Sequence, residues 1–130
     1  IAGSYTPFTL LVLEGAWRWT MLSIVWSLAV AGVVFKIFFI KRFHLVSTAL
    51  YVAMGWVVLI AIKPLLEATP FGAMVWLTAG GLLYTGGVVF YLWNKLPYNH
   101  AIWHVFVMGG SFSHFCAVYW YVLEPIPVVV

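Results

Sequence analysis

A chain of 130 residues that is 65% hydrophobic and only 7% charged is not a water-soluble domain, which keeps about a quarter of its residues charged. Its net charge of +3 rests on six basic residues scattered at the ends of apolar runs. They form no patch for nucleic acid, and read instead as membrane-orientation signals.

The apolar runs are near ~20 residues, the length that crosses ~30 Å of hydrocarbon. Aromatic residues make up 19%, with eight Trp and seven Tyr, which suits anchors at both membrane interfaces. The expected fold class is all-α, a polytopic transmembrane helix bundle in one transmembrane domain over residues 1–130.

Residues 1–13 are apolar but too short to span, at ~20 Å if helical. They read as the second half of a helix, kinked where Pro7 removes a backbone donor, with the hydroxyls of Ser4, Tyr5 and Thr6 beside it. The opening Ile1-Ala2-Gly3-Ser4 has no charged leader and no initiator Met, so the chain is expected to be part of a longer one. After a charged turn, Glu14 to Arg18, residues 17–35 form the first complete span. Residues 36–44 carry the basic cluster Lys36, Lys41 and Arg42, with His44 as a surface histidine beside it. The second span is 45–62. Lys63 to Pro70 reads as a loop, because Pro64 and Pro70 stop helices. The third span is 71–93, and a polar turn from Asn94 to Asn99 leads into the last, 100–123, closed by Tyr119, Trp120 and Tyr121. Cys116 lies inside that span as a small core residue.

If all five segments cross, Lys36, Lys41, Arg42 and Lys95 fall on one side and Arg18 and Lys63 on the other. The basic excess makes the first side cytoplasmic and leaves the C-terminus outside, as in a multi-pass protein of the bacterial inner membrane. Gly80, Gly81, Gly86 and Gly87 are expected to let helices approach closely, with Gly109 and Gly110 away from the histidine face.

The chemistry concentrates in His100-Ala101-Ile102-Trp103-His104. Two histidines four apart on a helix are ~40° and ~6 Å from each other, so they point to the same side. Such a pair closes on a single ion such as Zn²⁺, or each ring simply hydrogen-bonds to a neighbouring helix. The zinc-protease signature has a general-base Glu after its first His, where this chain has Ala101. Ser111 lies nearly in line with His104, ~10 Å further along the helix, with Met108 and Phe115 flanking it. This stripe reads either as a groove for a membrane lipid with a polar head, or as a packed face with Ser111 bonded to backbone. His114 is ~15 Å from His104 along the axis and reads as a satisfied packing histidine. Glu14, Glu67 and Glu124 lie at span ends on the side opposite the pair. No residue of the chain completes a metal site, no nucleophile–base set is assembled, and no catalytic residue is assigned.

Two stretches, Ile1-Ala2-Gly3-Ser4-Tyr5-Thr6-Pro7-Phe8 and Pro97-Tyr98-Asn99-His100-Ala101-Ile102-Trp103-His104, resemble signatures of the hemolysin III family. This is the bacterial branch of the progestin and adipoQ receptor superfamily, and Ala53-Met54-Gly55-Trp56 fits it too. The resemblance implies a seven-helix fold of which this chain supplies helices three to seven, the first truncated. It implies zinc as cofactor, held by His100 and His104 with a His from helix two, and a water-bonding Asp; both of the latter would precede Ile1. By analogy with the adiponectin-receptor branch, it implies a zinc-dependent hydrolase of a lipid amide, ceramidase-like. The alternative is a non-enzymatic protein of membrane lipid and energetic homeostasis with structural zinc. A pore-forming hemolysin is the least favoured, since no span carries a polar stripe.

Overall fold

The computed structural model describes residues 1–39 and 44–123, with the side chains of Phe39 and His44 excepted. The expectations for His44, Lys41, Arg42 and Glu124 therefore lie outside the described residues. The described residues are helical apart from short turns. Among them, four segments are long and apolar enough to cross a membrane: Gly15–Phe38, Leu45–Ala68, Phe71–Leu92 and Asn99–Leu123. Two compact units divide the chain, Ile1–Ala68 and Thr69–Val130.

In the first unit, α1 (Ala2–Pro7) runs into a π-helical turn, Phe8–Val12. Pro7 has no N–H for the Gly3 carbonyl, and the backbone beyond it widens. Leu13 N–H closes the turn on the Phe8 carbonyl at 3.0 Å. The chain then leaves extended at Leu13 and turns at Gly15, whose φ of +55° suits a residue without a Cβ. Arg18 Nε donates to the Leu13 carbonyl at 3.0 Å, filling an acceptor that a helix end leaves open. From there α2 (Gly15–Phe39) is continuous. It overruns the expected 17–35 at both ends. Lys36 sits in its last turn, where a long stem lets a charge reach the interface from inside a helix; its Nζ lies 6.0 Å from the centre of the Tyr51 ring.

The second complete span is broken. It consists of α3 (His44–Gly55), a 3₁₀ turn (Val57–Ala61) and α4 (Ile62–Ala68), with Trp56 at φ −97°, ψ 4° between the first two. Tyr5 bridges the break: its hydroxyl donates to the Gly55 carbonyl at 2.6 Å and accepts from Val58 N–H at 3.0 Å. Irregular backbone at membrane depth persists only where such groups find protein partners. The expected loop from Lys63 to Pro70 is corrected here, because helix continues through Lys63, Pro64 and Glu67 to Ala68. Pro64 falls in the first turn of α4, where backbone N–H groups have no intrahelical acceptor, so its missing donor costs no bond. Pro70 does precede a helix start, and its carbonyl accepts from Ala73 N–H at 3.0 Å.

The hydroxyls around Pro7 do more than border a kink. Ser4 and Thr6 bond back to the Ile1 and Ala2 carbonyls at 2.8 and 2.9 Å. Thr6 Oγ1 also accepts from Trp26 Nε1 at 3.2 Å, tying α1 to α2.

The second unit is an antiparallel pair, α5 (Phe71–Leu92) and α6 (Asn99–Val118), the latter extended by a π-helical turn, Tyr119–Leu123. Tyr98, with φ of 60°, ends the connecting turn. The register is read from contacts that advance along α5 as they retreat along α6. Trp76 meets Trp120 at 5.6 Å between ring centres, Tyr84 meets His114 at 5.5 Å, and Phe90 stacks on Phe106 at 4.9 Å. Glycines make the approach possible. A Cβ on Gly80 would land on the His114 ring and 3.1 Å from the Gly110 carbonyl oxygen. One on Gly110 would lie 2.9 Å from the Tyr84 ring, and one on Gly87 2.8 Å from Phe106 Cβ. Gly81 is the exception among the expected packing glycines, with nothing within 4 Å.

Candidate metal centre

His100 and His104 lie in the first turns of α6, and both are exposed. Their Nε2 atoms are 3.1 Å apart and the rings meet edge to face, with centres 4.7 Å apart. Two nitrogens held by one tetrahedral zinc at ~2.0–2.1 Å are about 3.3 Å from each other. The observed separation differs from that by only a few tenths of an ångström, so the donor set fits one side of such a site. The same contact also satisfies a hydrogen bond between a donor and an acceptor tautomer. Among the described residues, no group of three His, Cys, Asp or Glu side chains is arranged to hold a metal.

An aromatic cluster backs the pair. The Trp103 indole centre is 5.0 Å from the His100 ring and 4.5 Å from the His104 ring. On its other side Trp103 meets the Tyr91 ring of α5 at 4.9 Å. Sequence reading left Trp103 unremarked, because a Trp among eight in a membrane chain is ordinarily an interface anchor.

Met108, Ser111 and Phe115 lie on the exposed side of α6, as the two histidines do, with Phe112 beside them. Among the described residues, the Ser111 hydroxyl pairs with Tyr84 Oη at 2.7 Å. His114 stands apart from the pair. Its Nε2 lies 3.4 Å from the Leu77 carbonyl, while the buried Nδ1 has no partner among the described residues. It is thus a packing histidine only half satisfied. Cys116 is buried and free.

Residues 1–115 match the family described as Haemolysin-III related. The chain belongs to the haemolysin III family. Within that family it is 54% identical over 123 residues to Hemolysin-3 of Bacillus cereus, covering 95% of this chain and 56% of that protein. It is 52% identical over 124 residues to the Hemolysin-3 homolog of Bacillus subtilis (strain 168), covering 95% and 58%. A more distant similarity, 30% over 125 residues, joins it to the human monocyte to macrophage differentiation factor, covering 93% and 50%. The last supports the wider progestin and adipoQ receptor grouping. The chain spans little more than half the length of the Bacillus relatives. No solved structure matches it. Family membership and four apolar helices together make this haemolysin III chain an integral membrane protein.

Proposed function

We propose that this haemolysin III member is a zinc-dependent membrane hydrolase acting on a lipid amide, with His100 and His104 as two of the metal's ligands. The observation that carries the reading is the convergence of the two Nε2 atoms, 3.1 Å apart, on an exposed face of α6. The remaining ligands would come from segments of the whole protein other than these 130 residues. Zinc, when bound, supplies a Lewis acid and lowers the pKa of its water. The chain's own residues orient and bind. The imidazoles hold their Nε2 atoms toward one point, and the stripe of Met108, Ser111 and Phe115 offers apolar contact for an acyl chain with one hydroxyl along it. Placement in the bacterial inner membrane, with the C-terminus outside and the pair in the cytoplasmic half, belongs to the same proposal and is tested by C-terminal reporter fusions.

The deciding experiment is the zinc content of purified full-length protein beside His100→Ala and His104→Ala. About one zinc per chain, lost in both variants, is expected, followed by hydrolysis of ceramide-like amides in vesicles by the parent alone. An intact protein without zinc would sink the reading. Stoichiometric zinc with no turnover of any amide would instead favour a metal that ties helices together.

A further inference from the structure

We propose that Trp103 is the positioning residue of the histidine pair: its indole holds both imidazoles in their converging orientation, and α5 holds the indole. This rests on the reading of His100 and His104 as metal ligands. Metal-binding histidines are ordinarily oriented by a hydrogen bond from the second ring nitrogen to a carboxylate or carbonyl. Here neither imidazole bonds to such a group among the described residues. Their recorded hydrogen bond is the one between them.

Packing takes over that role. Trp103 stands one residue before His104 and three after His100, so one indole borders both rings, at interplanar angles of 48° and 45°. A ring bordered in this way loses rotation about χ2, the broad torsion that otherwise leaves an exposed imidazole loosely aimed. The indole is itself held from α5. Tyr91 contacts it at 4.9 Å and reaches the His100 ring at 6.3 Å. One turn earlier on α5, the missing Cβ of Gly87 leaves room for Trp103, whose Cδ1 would lie 3.4 Å from that atom. Aim is therefore transmitted from α5 through Trp103 to two side chains that α5 itself holds only weakly.

The test uses full-length protein with Co²⁺ as the probe metal, and ¹³C-histidine NMR of the metal-free protein. Trp103→Leu is expected to weaken Co²⁺ binding by about 10- to 100-fold and to alter its visible absorption bands. In metal-free protein it should also free the His100 and His104 rings to reorient, read as a loss of ¹³C relaxation order at their ring carbons. Trp103→Phe should recover part of each signal. Tyr91→Leu, which leaves the indole in place, should give smaller changes of the same sign and guards against a Trp103→Leu that fails to fold. Trp93→Leu, at the end of α5, should change neither readout. Unchanged histidine ring order and an unchanged Co²⁺ spectrum in folded Trp103→Leu would overturn the proposal. A parent that takes up no metal, yet loses its histidine ring order in Trp103→Leu, would overturn the metal reading while upholding the orienting role of the indole.

Discussion

The two units of the chain solve the membrane problem in opposite ways. Among the described residues of 1–68, backbone regularity is broken at Pro7, at Leu13–Gly15 and at Gly55–Trp56. The broken ends are stitched by side chains, namely Tyr5, Arg18 and the hydroxyls before Pro7. In the second unit α5 and α6 run unbroken for 22 and 20 residues, and cohesion comes from bare backbone meeting rings at Gly80, Gly87 and Gly110. A helix keeping its own hydrogen bonds can put small residues on its contact face, where dispersion rewards close approach. A helix that breaks must borrow polar atoms from elsewhere. The candidate metal pair stands on the unbroken kind, which suits a site needing fixed geometry.

The comparison is broken most forcefully at a glycine notch. Gly80→Ala puts a methyl group into the His114 ring and is expected to destabilise the protein by about 1–3 kcal/mol, read by thermal unfolding in detergent. Next is the stitched break. Tyr5→Phe leaves the Gly55 carbonyl and Val58 N–H without their partner and should cost about 1–2 kcal/mol. Amide hydrogen exchange at Val58 should accelerate while α5 and α6 keep their protection; uniform acceleration throughout would mean that Tyr5 is not local in its effect. Ser111→Ala, removing one hydroxyl from the Tyr84 pair, is expected to cost about 0.6 kcal/mol. Gly81→Ala, pointing into open space, should lie within about 0.5 kcal/mol of the parent. A Gly81→Ala as damaging as Gly80→Ala would show that helix flexibility, not contact, is what these glycines supply.

The four complete spans were legible from hydropathy alone, because the requirement to cover ~30 Å of hydrocarbon is a property of composition. The breaks were not. Gly55 and Trp56 are apolar enough to pass inside a span, and the hydroxyl that stabilises their irregular backbone is 50 residues away in the chain. Pro64 misled for a related reason: its cost depends on whether a helix begins two residues before it, which local spacing does not reveal. At the candidate site, the i, i+4 spacing announced that His100 and His104 share a face. Spacing carries no information about ring rotation, so the part given to Trp103 emerged only with coordinates. His114 was read as satisfied, yet among the described residues only one of its nitrogens finds a partner.

The Tyr5 bridge couples two positions in a way that constrains how this chain changes over evolutionary time. Its hydroxyl occupies both a donor and an acceptor of the break, so each depends on the other's irregularity. A substitution at Gly55 that healed the helix would reclaim those backbone groups and strand a phenol oxygen in hydrocarbon. Loss of Tyr5 alone would strand the backbone instead. Either single step is disfavoured while the double replacement is tolerable, which is sign epistasis written in two hydrogen bonds. A tyrosine early in the chain and a glycine 50 residues later are therefore expected to be kept, or replaced, together.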